Sequence, residues 1–275
     1  MNIKIITVNF GDITPTKVLI DSISCCEEVD SVSISIADNC STTTSLEQLN
    51  RLSDKSIFNI EIFPNKKNLY YWPAVKKIIS SLNPRQETFP DWILICNNDI
   101  SIKDRLFFRK LKKLKKNKYP IIGPEIIDSN GLRLNPFMYE PLSSMAHLYW
   151  KLYFFSYPTS IFLLKFKEIF KIFFPNLKSK KNNLSGVVYS VHGAAILFSS
   201  HFFESGGWLD DNFNFYGEEL TVAEIAKKLS IPINYVPSLV INHNEHTNTK
   251  KINRRKLFKM ARDSYNYINL TYFKK

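Results

Sequence analysis

The sequence predicts an α/β fold with a mostly parallel central sheet flanked by helices. Its first part alternates strand-like and helix-like patterns, the signature of parallel strands joined by right-handed crossovers. One strand of that series, Ile93-Leu94-Ile95-Cys96, is continuously apolar, as strands covered by helices on both faces are. Strand-like runs also end in Asn or Asp at Asn9, Asp38, Asn65 and Asn97–Asp99, which suits a ligand cleft at the carboxyl edge of a parallel sheet.

In chain order, Ile3–Val8 reads as a strand, Thr16–Glu27 as a helix, Ser31–Ala37 as a strand, Leu46–Leu52 as a helix and Asn59–Phe63 as a strand. Ala74–Leu82 carries apolar residues at helical spacing, and Trp92–Cys96 is the apolar strand. Lys103–Lys118 reads as a basic helix with a greasy edge of Leu106, Phe107, Leu111 and Leu114, either solvated or facing a membrane. Pro120–Ile127 resumes a strand. Val187–Phe198 reads as two short strands around Gly193-Ala194-Ala195, small residues that let a backbone approach a ligand. Leu220, Ala223, Ala226 and Leu229 stripe a helix, and Asn234–Ile241 is a last strand leading to His243.

The pattern breaks between Asn135 and Asn183, which is dense in Tyr, Phe, Leu and Lys. Its greasiest part, Tyr149–Phe174, is interrupted by Lys151, Lys165, Lys167, Glu168 and Lys171. Such a segment lies in a membrane interface or packs as a helical hairpin on the main domain. The chain therefore divides into an α/β half (1–134), an aromatic and basic insertion (135–186), a second half (187–249) and a basic tail (250–275).

With 275 residues, 44% hydrophobic and 23% charged, the chain supports one large domain and is too apolar to be disordered. A net charge of +12 calls for an acidic partner or surface. No recognition helix, zinc knuckle or aromatic RNA-binding sheet motif is present, so nucleic acid is not the expected partner. An anionic membrane surface is. Cys25, Cys26, Cys40 and Cys96 lack metal or redox spacing and read as reduced cytoplasmic thiols. The N-terminal segment reads as a strand rather than a secretory leader, and no window holds the roughly 18 uncharged apolar residues of a membrane-spanning helix. The expected location is cytoplasmic and peripheral on the inner face of the membrane.

Two constellations carry chemistry. Asn97-Asn98-Asp99 at a strand exit is either an ordinary Asx turn or the protein's share of a metal–diphosphate site. Phe215-Tyr216-Gly217-Glu218-Glu219-Leu220 places two carboxylates at a helix start, where the dipole favours them as caps. The same carboxylates, at a pocket edge beside apolar groups, can act as a general base. Neither dinucleotide Gly-x-Gly-x-x-Gly nor Walker Gly-Lys-Ser/Thr occurs.

The chain resembles the family 2 inverting glycosyltransferases with the GT-A fold, especially rhamnosyltransferase-like members that build bacterial surface polysaccharides. The resemblance rests on six features in order: Thr7-Val8-Asn9-Phe10, Ala37-Asp38-Asn39-Cys40-Ser41, Asn65–Tyr71, Asn97-Asn98-Asp99, His192-Gly193-Ala194, and Gly206-Gly207-Trp208-Leu209-Asp210 running through Phe215–Glu219 to His243. It implies that Val8, Asn9, Asp38, Asn68, Asn98 and Gly193 line a UDP- or dTDP-sugar donor, with Asp38 on the base. Asp99, as the second acid of the family's DXD motif, and His243 would hold Mg2+ or Mn2+. Glu219 would be the base, with Glu218 beside it, and His192, Trp208 and Tyr216 would meet a lipid-linked saccharide acceptor. Two departures stand out: Asn97 replaces the first DXD acid, and bulky Tyr70-Tyr71-Trp72 replaces small residues. They leave open a catalytically degenerate relative, and the charge alone leaves open a non-enzymatic protein that binds nucleic acid or a membrane surface.

Overall fold

The computed structural model describes residues 1–173, 185–244 and 253–273, with side chains 167–173 excepted. Among the described residues nine strands form one sheet: β1 (Ile3–Asn9), β2 (Val32–Asn39), β3 (Asn59–Asn65), β4 (Trp92–Asn97), β5 (Ile100–Ser101), β6 (Ile121–Asp128), β7 (Gly186–Val188), β8 (Ala195–Ser199) and β9 (Ile233–His243). Their order is β3-β2-β1-β4-β8-β6-β9-β5, with β7 also on β9. The β3-β2-β1-β4 half is parallel throughout, as the alternating pattern predicts. The other half is mixed. β8 runs antiparallel to both β4 and β6, β9 is parallel to β6, and β5 and β7 run antiparallel to β9. The expected α/β sheet flanked by helices is present, parallel throughout in its N-terminal half and mixed in the other, where among the described residues β6 and β9 alone pair in parallel. Its strands join the 1–134 and 187–249 segments without a break.

Strand register explains the cleft. Asn9 pairs with Asp38, Val8 with Asn97 and Asn39 with Asn65, so the polar strand exits share one edge of the sheet. Apolar cores fill both faces. Ile5, Leu19, Leu94, Phe107 and Leu197 are buried on one side, and Ile6, Trp72, Ile95, Phe198, Phe202 and Ile225 on the other.

The helices of the first part are α1 (Thr14–Ser24), α2 (Thr43–Asp54), α3 (Trp72–Ile79) and α4 (Phe107–Lys112). α1 starts before the expected Thr16 because Pro15 supplies a preset φ at its first turn, and it ends at Ser24, capped by Cys25, rather than at Glu27. The long basic helix expected over Lys103–Lys118 is only α4. Its greasy edge is core, since Phe107, Phe108 and Leu111 are fully buried. Its cations face acids of this chain: Lys110 on Asp104 at 2.6 Å, Lys112 on Glu28 at 3.2 Å, Arg109 near Glu27 and Glu28, and Lys116 on Asp91.

The insertion forms α5 (Ser144–Tyr153) and α6 (Tyr157–Phe173). Residues 174–184, its expected end, lie outside the described residues, as do 245–252 and 274–275, which include both ends of the basic tail. Then follow α7 (Ser200–Glu204), α8 (Glu218–Lys228), α9 (Arg254–Ile268) and a π-helical turn, Asn269–Phe273. The hairpin α5–α6 does pack on protein. Phe154 stacks on Tyr265 at 4.7 Å between ring centres, and Tyr153, Phe154 and Tyr157 surround Phe258.

Candidate active site

The cleft is built where β1, β2 and β4 end. Asn9 is fully buried and spent on its neighbours. Its Oδ1 accepts from Thr16 Oγ1 at 2.8 Å, and its Nδ2 donates to Asp38 Oδ1 at 3.2 Å and to Ser41 Oγ at 3.3 Å. Asn98 Nδ2 donates to the same Thr16 hydroxyl at 3.0 Å. Buried polar groups without partners are costly, so this closed network holds the two strand exits in one geometry. Asp38 is 2% exposed and faces Asn9 and Ser41. Val8 is half-buried in the core below. Asn68 accepts the backbone N–H of Tyr70 at 2.7 Å, which supports that residue's φ of 63°.

Beside this network stand Asp99 and His243. β9 carries His243 to the same edge, where it pairs with Ile100. His243 Nε2 lies 3.1 Å from Asp99 Oδ1, and the buried Nδ1 has no hydrogen-bond partner. The His192 ring is 6.2 Å away, centre to centre. Metal donors at about 2.1 Å in an octahedral shell sit about 3.0 Å apart when adjacent. The Asp99–His243 spacing therefore suits two neighbouring ligands of one Mg2+ or Mn2+. Among the described residues no group of three or more His, Cys, Asp and Glu could hold a metal. An ion here would take the rest of its shell from substrate oxygens and water, which is common for Mg2+.

Glu218 and Glu219 close the other side. Glu219 Oε1 accepts the backbone N–H of Gly193 at 3.2 Å, and Glu218 Oε2 accepts that of Gly217 at 3.0 Å. Gly193 must be glycine here. A Cβ would stand 2.5 Å from Glu218 Cγ and 3.0 Å from Glu219 Oε1. Gly193 thus seats both glutamates, a role its expected place on the donor did not include. Burial pushes the Glu219 carboxyl up to about 8, with the neighbouring Glu218 charge adding to it, and burial raises Glu218 as well. A carboxyl so tuned can take a proton near neutral pH.

Several residues of the site escaped the sequence reading. Tyr71, which seemed only bulky, donates its hydroxyl to the Gly193 carbonyl at 3.2 Å. Burial raises its phenol well above the usual range, and the nearby Cys96, Glu218, Glu219 and Asp99 raise it further. Its hydroxyl therefore lies near both Asp99 and the two glutamates. Asn135 accepts the backbone N–H of His192 at 2.7 Å and donates to the Pro124 carbonyl at 2.7 Å. Ser190 Oγ donates to the Glu219 carbonyl at 2.8 Å. Only the Asn-Pro start of the insertion hinted at Asn135, and nothing in the pattern marked Ser190.

Of the three residues expected at the acceptor, His192 lies in the cleft, with Nδ1 accepting from the Ala194 N–H at 3.1 Å. Tyr216 is 48% exposed beside Phe215, just before the glutamates. Trp208 packs under Lys228, at the end of α8 away from Glu218. The structure does not bring it to the others.

The fold has counterparts among solved structures. The S. aureus TarS fragment 1–349 in complex with UDP-GlcNAc superposes with a TM-score of 0.59 at 10% identity, covering 98% of this chain and 65% of that one. GalNAc-T7 with UDP, GalNAc and Mn2+ gives 0.58 at 11% identity, covering 89% and 44%. Mannosyltransferase PcManGT from Pyrobaculum calidifontis, in complex with GDP-Man and Mn2+, gives 0.56 at 9% identity, covering 98% and 70%. The chain has the GT-A fold. The GT-A fold is what these proteins share with it. The chain spans about half the length of GalNAc-T7, at 44%. No protein-family profile and no curated protein matches it in sequence.

Proposed function

We propose that the protein is an inverting, metal-dependent glycosyltransferase of the hexosyltransferase type. It moves a sugar from a nucleoside-diphosphate donor, a UDP- or dTDP-sugar, to a lipid-linked saccharide in bacterial surface polysaccharide assembly. One observation carries the reading: Glu219, held by Gly193 and raised toward neutrality, shares a GT-A cleft with the Asp99–His243 pair. The GT-A neighbours are in complex with UDP and GalNAc, UDP-GlcNAc and GDP-Man, two of them with Mn2+, which supports a nucleotide-sugar donor and a divalent ion.

In this mechanism the 1–134 half holds the donor and the 187–249 half the acceptor. The Asn9–Asp38–Asn98 network forms the nucleotide edge. Asp99 and His243 would hold the ion, which when bound neutralises charge on the diphosphate. Glu219 takes the proton of an acceptor hydroxyl. That oxygen bonds to the anomeric carbon as the bond to the diphosphate oxygen breaks, and a single displacement inverts the centre. Tyr71 holds the Gly193 carbonyl beside the base through its hydroxyl.

The acceptor's lipid is argued from the surface. Met145 and Phe155 are 74% and 77% exposed, and Leu148, Leu152, Phe162 and Phe166 add to the same hairpin. Exposed Lys151 and Lys165, with Arg254, Arg255, Lys256 and Lys259 of α9, flank it. Exposed apolar surface rimmed by cations suits an anionic leaflet, where each Lys or Arg contributes about 1 kcal/mol. No helix of the described residues is long and apolar enough to cross a membrane.

The test is nucleoside-diphosphate release from UDP-, dTDP- and GDP-sugars with Mn2+ or Mg2+ and lipid-linked acceptors. Turnover of one donor, lost in Glu219→Gln and Asp99→Ala, supports the reading. Asn97 in the first DXD position favours one alternative, a GT-A protein that binds donor without transferring it. Tight donor binding without turnover against any acceptor would establish that alternative.

A further inference from the structure

The loop 210–217 leads into α8, and it holds conformations that need support. Tyr216 has a φ of 58°, and a non-glycine residue there costs about 1–3 kcal/mol unless its surroundings hold it. The half-exposed Tyr216 ring does little to offset that cost. The C-terminal segment does. The hydroxyls of Tyr267 and Tyr272 both donate to Asp210 Oδ2, at 2.7 and 2.6 Å, while Asp210 Oδ1 accepts from Asn212. Ser264 Oγ donates to the Phe215 carbonyl at 2.7 Å. Ile268 covers Gly217, its Cδ1 lying 2.7 Å from where a Cβ would project.

Asp210 is 4% exposed, so its charge depends on these donors. Burial works to raise its carboxyl, yet hydrogen bonds from Tyr272, Asn212 and Tyr267 hold it below the usual carboxylate range. A buried carboxylate with two phenol donors on one oxygen is a strong, directional fastening.

We infer that Tyr267 and Tyr272 are positioning residues: through Asp210 they clasp the C-terminal segment onto the loop that presents Tyr216 and seats Glu218 and Glu219. An adjoining face of α9 carries the aromatic contacts with the α5–α6 hairpin, through Phe258 and Tyr265. The acceptor-side loop and the exposed hairpin are thus fastened to the same helix.

The kinetic part of this inference rests on the transferase reading, and its structural part does not. The test is the Tyr267→Phe/Tyr272→Phe double variant, which removes only the hydroxyls, with Asp210→Asn as a second route. Amide hydrogen exchange, donor binding by calorimetry and steady-state kinetics are measured on each. Exchange of the 211–217 amides should rise about tenfold or more while β1 and β4 keep the parent's protection. Donor affinity should stay within about twofold, and kcat should fall about tenfold at unchanged donor KM, as for a lost transition-state alignment. Unchanged exchange in the loop overturns the clasp. So does an increase spread evenly over the strands, which would mark a merely structural role. A loosened loop, with the parent turning over no donor, supports the clasp and overturns the transferase reading instead.

Discussion

Glu219→Gln should stabilise the protein at alkaline pH while abolishing transfer. The Glu219 carboxyl is raised from 4.5 to about 8, by burial first and then by Glu218. Between those values the folded protein keeps a proton that the unfolded chain has lost. Stability must therefore fall as pH rises through that window, by up to about 1.4 kcal/mol per unit. At pH 7.5 the full effect is roughly 4 kcal/mol, and water entry at a partly exposed carboxyl reduces it to about 2 kcal/mol. Glutamine has the shape of the protonated acid and still offers an oxygen to the Gly193 N–H, so the variant lacks this slope. For a chain of this size 2 kcal/mol corresponds to a Tm gain of about 4–8 °C. Calorimetric melting of parent and variant from pH 5 to pH 9 measures it. The two should coincide near pH 5 and separate progressively above it. A Tm difference that is constant across the range refutes the reasoning, because the base would then be an ordinary exposed glutamate.

The other expectations follow from single contacts. Gly193→Ala drives a methyl against Glu218 and should destabilise by about 1–3 kcal/mol, the usual range for overpacking, and cut turnover at least tenfold; full activity would show that Gly193 does not seat the glutamates. Thr16→Val removes the hydroxyl shared by Asn9 and Asn98, so urea denaturation should show a loss of about 1–3 kcal/mol, accompanied by weaker nucleotide binding in calorimetry. Mn2+ with a nucleoside diphosphate should raise the Tm of the parent, and Asp99→Ala should abolish that increment while leaving the ligand-free Tm within a few degrees. Vesicles containing anionic lipid should sediment the protein at low salt. Phe155→Ser/Phe162→Ser should release it, and binding indifferent to both salt and these residues would remove the membrane reading.

Much of the fold is legible along the chain. Trp92–Cys96 declares itself as a strand by an unbroken apolar run, because helices cover both of its faces, and Ile3–Val8 and Ser31–Ala37 do so by β-branched apolar residues among Lys4, Thr7 and the serines. The polar residues that end them mark the cleft edge for the same reason, since only there does the strand leave the core. The basic Lys103–Lys118 run misleads because composition does not distinguish a cation facing solvent from one facing Glu28 or Asp104. Glu218 and Glu219 are legible as a pair at a helix start, but their shift toward neutrality is not. It requires burial by segments distant in sequence, which outweighs the hydrogen bond by which the Gly193 N–H pulls the Glu219 carboxyl back down.

By itself, then, the sequence determined the strands, the polar strand exits and the carboxylates on which the proposed chemistry rests. These follow from periodicity and from where polar groups interrupt apolar runs. Only the tertiary structure decided that β8 enters antiparallel beside β4, which carries Gly193 to the glutamates and within reach of the Tyr71 hydroxyl. Only it fastened Tyr267 and Tyr272 to Asp210. The strength of a buried charge and the direction of a hydrogen bond depend on distances of a few ångströms between segments far apart in the chain, and no local pattern encodes those distances.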